Sequence, residues 1–137
     1  MKQLRCPVIV LDAKGDLGGL GDVIAPWEGA QMPVAALGAD LMRRVLDLSE
    51  AQAGALEIAL AWAEDQGFGV ATLDDLASVL NQIAAGADVS AYGLVSPLSL
   101  AAVQRAILRF RRAAPWAFGH RALDPFKWRA GRTIIHA

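Results

Sequence analysis

Apolar positions along this chain form two kinds of run. Pro7-Val8-Ile9-Val10-Leu11 is continuous and β-rich, the pattern of a strand buried on both faces. It ends at Asp12, and a polar glycine-rich loop runs from Ala13 to Gly21, after which Pro26, Gly29 and Pro33 keep the chain irregular to about residue 34. From there the period turns helical. Leu37, Leu41, Val45 and Leu48 fall on one face of a first helix. Ser49 with Gln52 forms a capping box for a second, which runs to about Gln66 with Ala55, Ile58, Ala59 and Trp62 inward and Gly67 as its stop. Thr72 opens a third through about Ala85, with Leu73, Leu76, Leu80 and Ile83 inward and Gly86 behind it. Ser96-Pro97 starts a fourth, to about Ala113, whose apolar face is Leu100, Val103, Ile107 and Phe110. Asp124-Pro125 predicts one more turn through Trp128, and Thr133-Ile134-Ile135 is a second β-like run.

The expected fold is mainly α: a four- to five-helix bundle with two short terminal β-strands. It divides into a strand and loop over 1–34, a helical bundle over 35–130, and a strand over 131–137. Two lone strands make no sheet of independent strength. They read as parts of a sheet whose other strands lie elsewhere.

Composition supports the helical reading. Of the 137 residues, 27 are alanine, the best helix former, while aromatics reach only 7%. Cys6 is the single cysteine, which excludes an intrachain disulfide and a cysteine-built zinc site. The apolar run after Lys2 and Arg5 is too short for a signal peptide. The greasiest stretch, Ala53–Ala63, is broken by Glu57, whereas a membrane span needs roughly 20 apolar residues. A soluble cytoplasmic protein without a membrane partner is expected. The net charge of −1 conceals a division: residues 1–95 hold 5 basic and 13 acidic side chains, and residues 96–137 hold 8 basic and 1 acidic.

Candidate chemistry is sparse. The dinucleotide fingerprint fails because Ile24 stands where glycine or alanine is needed, and G-x-x-x-x-G-K-[ST] is absent from the chain. Asp12, Lys14 and Asp16 follow the C-terminal end of the first strand, where open α/β sheets bind ligands. There the two carboxylates suit a metal or an oriented water, and the lysine a phosphate; a solvated turn with a local ion pair is the better account of them. His120 and His136 lack the partners of a metal site, and Ser49, Thr72 and Ser96 are helix caps rather than nucleophiles. No catalytic or metal-binding residue is nominated. The fourth helix is the most informative surface: Arg105, Arg109 and Arg112 lie opposite its apolar face, with Arg111 off that stripe and Arg121 downstream. Such a stripe suits nucleic-acid phosphates. The plainer account is a solvated face balanced by the acidic front, within the chain or across a subunit boundary.

Several stretches, in order, carry a resemblance. PVIVLDAKGDLGGL (7–20) is similar to a strand followed by D-x-K-G-D-L-S-G-L, with Gly18 at the serine. LMRRVLDLSEAQAGALEIALAWAEDQG (41–67), LDDLASVL (73–80), YGLVS (92–96), VQRAIL (103–108), Phe118-Gly119 with Ala122-Leu123-Asp124, and Gly131–Ile135 follow. Together they resemble the bacterial "helicase HerA-like" branch of the HerA/FtsK ATPases. His120-Arg121 replaces an acidic-then-proline pair of that pattern and makes this surface more basic.

The resemblance implies that the chain is an excerpt of a RecA-like α/β motor domain: a helical insertion with its two flanking core strands. Walker A is expected before Met1 and Walker B after Ala137. It implies no cofactor for this chain alone, with ATP and magnesium in the intact family member, where Asp12, Lys14, Gly15 and Asp16 would lie near the nucleotide. It also implies an inactive polypeptide whose bundle contacts DNA, a partner, a neighbouring subunit or the remaining motor domain, with self-association through exposed strand edges. The alternatives are a free-standing helical interaction module that has lost the motor and, less favoured, a small enzyme built on Asp12 and Asp16.

Overall fold

A computed structural model describes residues 8–12, 16, 19, 22–24, 31–120 and 132–136, the strands by their backbone. The described chain is mainly helical, with α1 at Val34–Leu46, α2 at Glu50–Asp65, α3 at Leu73–Ala84 and α4 at Pro97–Ala113. The expected fifth helical turn at Asp124–Trp128 lies outside the described residues.

Each helix starts where its first N–H groups find acceptors. The Ser49 backbone N–H donates to Gln52 Oε1 at 3.1 Å ahead of α2. At α3 the capping box closes in both directions: the Asp75 N–H donates to Thr72 Oγ1 at 3.0 Å, and the Thr72 N–H donates to Asp75 Oδ2 at 2.8 Å. Ser96 Oγ accepts from the Leu98 N–H at 3.2 Å, with Pro97 as the first residue of α4. Helix α1 follows Pro33 and has no side-chain cap. Its first N–H groups are instead taken by loop carbonyls between α2 and α3, Val34 to Ala71 at 3.0 Å and Ala35 to Val70 at 2.9 Å.

The four helices share one core. Met42, Leu56, Leu76, Leu80, Val34 and Val103 are its largest fully buried side chains, and Leu46, Ala59, Trp62, Leu100 and Ile107 pack with them. The expected inner faces of α3 and α4 are the observed ones, with Phe110 half-buried at the core edge. In α1 the expected face is corrected. Leu41 and Val45 are 48% and 38% exposed, and Val34, Met42 and Leu46 are the buried positions. Gly38, with φ of 68° and ψ of 173°, interrupts the helix. On the segment after it stand two adjacent i, i+4 apolar pairs, Leu41 with Val45 and Met42 with Leu46, and the second pair turns to the core, while Leu48 is buried as expected.

The ends of the bundle meet. Met32 and Phe118 form an isolated parallel bridge, with the Met32 N–H donating to Ala117 O at 3.4 Å and the Gly119 N–H to Met32 O at 3.3 Å.

Outside the bundle are three strands, β1 at Val8–Asp12, β2 at Asp22–Ile24 and β3 at Arg132–His136. They pair in the order β1-β3-β2, all parallel, with Val8 opposite Arg132, Asp12 opposite His136 and Asp22 opposite Thr133. The last strand in sequence is central. Strand β2 falls in the stretch expected to be irregular; three residues are too few to show a period, and the partner lies more than a hundred residues away.

Candidate interaction surface

Helix α4 presents two unlike faces. Leu100, Val103, Ala106 and Ile107 are buried in the core. One polar flank is tied to α3: Gln104 Nε2 donates to Asn81 Oδ1 at 2.7 Å, and Arg111 pairs with Asp74. The outward side carries Arg105, Arg109 and Arg112, all exposed, which make no ion pair or hydrogen bond among the described residues. No acidic residue stands in α4, so the stripe is a cationic field without internal compensation. Two exposed leucines accompany it, Leu98 at 81% and Leu108 at 41%. Arg105, Leu108 and Arg109, with Ala102 and Gln52, line a groove of about 360 Å³ beside the start of α2.

A second surface has the opposite sign. Between α1 and α2 lies an open cleft of about 690 Å³. Its apolar floor includes Leu37, Leu60, Ala61, Phe68 and Val70; its charged lining is Asp40, Glu57 and Glu64, with no basic residue. Gly38 lines it too, and its backbone shapes the α1 wall. Phe68 packs on Trp62 with ring centroids 5.7 Å apart yet stays 45% exposed.

The titrating groups with displaced pKa values are structural. Burial pushes the Asp75 carboxyl up, but hydrogen bonds from the backbone and side chain of Thr72 and from the Ala71 N–H, with the charge of His120 nearby, hold it below its ordinary value. The Asp88 carboxyl is lowered by Ser90, which caps it locally. Tyr92 Oη donates to Asp65 Oδ2 at 2.5 Å, which raises the phenol pKa. Every buried side-chain nitrogen or oxygen among the described residues has a partner, and no group of three His, Cys, Asp or Glu there is placed to hold a metal.

The remaining sequence candidates are dispersed. Asp12 ends β1 at the carboxyl edge of the parallel sheet, in register with His136, and Asp16 is exposed. Lys14, Gly15 and Arg121 lie outside the described residues. Sequence reasoning missed two juxtapositions: His136 beside Asp12, a pairing only the fold creates, and the acidic cleft. The cleft did leave a signal, Glu57 and Glu64 at i, i+7 around Leu60. No helix among the described residues is long and apolar enough to cross a membrane.

Comparison with known families supplies the decisive observation: residues 28–136 match the helicase HerA-like C-terminal family. This chain belongs to that family. The match spans the whole HerA-like bundle and β3, and it begins after Asp16. No curated protein and no solved structure matches the HerA-like chain.

Proposed function

We propose that this chain supplies the helical contact module of a HerA-like, ATP-driven DNA translocase. It does not act as the motor itself. In this reading the three parallel strands belong to a RecA-like sheet, whose outer edges at β1 and β2 receive the remaining strands of the motor domain. ATP and magnesium are held by that remainder, and the Asp12-Lys14-Gly15-Asp16 segment borders the nucleotide only once it is assembled. The absence of a phosphate loop from these 137 residues supports this division of labour.

One observation carries the contact role: the outward face of α4 holds Arg105, Arg109 and Arg112 with no carboxylate partner among the described residues. Exposed cations without compensation attract an anionic surface, either DNA phosphate or protein carboxylates, and the attraction weakens as salt screens it. Arg121 extends the same charge along the sequence.

Two measurements test the reading. The purified chain is expected to show no micromolar binding of a fluorescent ATP analogue; clear binding overturns the non-motor assignment. At low salt it is expected to bind either duplex DNA or a second copy of itself. The triple variant Arg105→Glu, Arg109→Glu, Arg112→Glu then loses that binding while keeping its helical circular dichroism. A wild-type chain that binds neither overturns the contact role.

A further inference from the structure

Resting on that reading of α4, we infer that the partner of its arginine face is the α1–α2 cleft of a second copy of this chain. The two surfaces are complementary in charge, in apolar content and in spacing. On α2, Glu57, Leu60 and Glu64 stand at i, i+3 and i+7 along the cleft. On α4, Arg105, Leu108 and Arg112 stand at the same intervals on the outward side. Seven residues of helix rise about 10.5 Å, so the two end charges of one triad reach the two end charges of the other with the helices running in either direction. A central leucine in each fills the space between the ionic ends. Ala61, the small residue next to Leu60 in the cleft, leaves room for a neighbouring helix to approach, and Asp40 on the opposite wall supplies a third carboxylate for Arg109.

The cleft also has what a docking groove needs. Its floor is apolar, and the exposed Phe68 offers an aromatic surface on which an arginine stacks. Its carboxylates are unopposed within the lining, as the α4 arginines are unopposed on their helix. DNA satisfies the arginines but leaves the cleft empty and repels its carboxylates. A second copy satisfies both surfaces at once. Acceptor and donor are different patches of one chain, so the contact is either exchanged reciprocally in a pair or repeated from copy to copy.

The test is a charge swap on the full chain. Light scattering is expected to show the wild type associating beyond its 14.5 kDa monomer mass as concentration rises, and dissociating as salt rises. Arg105→Glu with Arg112→Glu is expected to weaken self-association at least about tenfold, and so is Glu57→Arg with Glu64→Arg. Mixed together, the two double variants re-associate, because the acidic α4 of one meets the basic cleft of the other. All four positions are exposed, so the variants fold, and circular dichroism checks it. A wild type that stays monomeric at every concentration overturns the inference, as do double variants that associate as well as it does, or a mixture that fails to re-associate. If the monomeric wild type instead binds duplex DNA through the arginines, the inference falls and the contact role of α4 stands; if it binds neither, both fall.

Discussion

Arg111 reaches across the α3–α4 interface to Asp74, and with that pair α4 commits one of its four arginines to the inside of its own molecule. Both side chains keep much of their exposure, at 47% and 71%. An exposed pair of this kind contributes at most about 1 kcal/mol. Asp74→Asn or Arg111→Gln should therefore lower stability by less than about that amount in chemical denaturation. A loss several times larger would mean the pair orders the interface.

The Thr72–Asp75 box should matter more. The Asp75 carboxylate accepts from the N–H groups of both Ala71 and Thr72, the loop whose carbonyls cap α1. Asp75→Ala is expected to cost about 1–2 kcal/mol at neutral pH. The folded-state pKa is depressed below the ordinary 3.8. Its stabilisation is therefore complete above 3.8 and disappears as pH falls through the lower folded value. Denaturation midpoints of wild type and Asp75→Ala should converge below pH 3.8. A gap that persists undiminished in acid would contradict this.

Tyr92 is the only tyrosine in the chain, so its ionisation can be followed directly by ultraviolet absorbance. Its hydrogen bond to Asp65 raises the phenol pKa above 10.0. The hydroxyl's contribution to stability is present below pH 10.0 and is lost as pH rises through the folded value. Phenolate should appear at higher pH in the folded protein than in the unfolded chain, and Asp65→Asn should remove most of that difference. Superimposable titrations of variant and wild type would refute the contact.

Gly38 should resist substitution for a backbone reason alone. A Cβ there meets nothing within 4 Å, but φ of 68° with ψ of 173° is a region only glycine occupies readily. Gly38→Ala is expected to cost about 1–3 kcal/mol. It should also weaken whatever occupies the cleft this residue shapes, read by repeating the self-association measurement. Full stability in Gly38→Ala would show that α1 tolerates a straight path.

Leu80 is fully buried where α3 enters the core. Leu80→Ala should cost about 2–5 kcal/mol by thermal or chemical unfolding. A cost below about 1 kcal/mol would mean the helices repack freely around it.

The helices were legible in the sequence because their signals are local. Ser49, Thr72 and Ser96 sit one residue ahead of α2, α3 and α4, and Gly67 and Gly86 adopt the positive φ that ends a helix. The arginine stripe was legible for the same reason, being a matter of spacing along one helix. Strand β2, the Asp12–His136 register and the capping of α1 by Val70 and Ala71 depend on residues far apart in sequence. No window of neighbouring residues contains them. The face of α1 was misjudged because Leu41 with Val45 and Met42 with Leu46 are adjacent apolar pairs of the same i, i+4 spacing, and only packing against the other helices selects between them.

The bridge between Met32 and Phe118 has a consequence for any domain that carries this bundle. The bridge is parallel, so the chain enters at Met32 and leaves past Phe118 in the same direction, one segment beside the other. Everything between them is closed into one loop, whose entropic cost grows only slowly with its length. Helices inside such a loop can lengthen or exchange their outer faces while the Met32–Phe118 pairing stays in place.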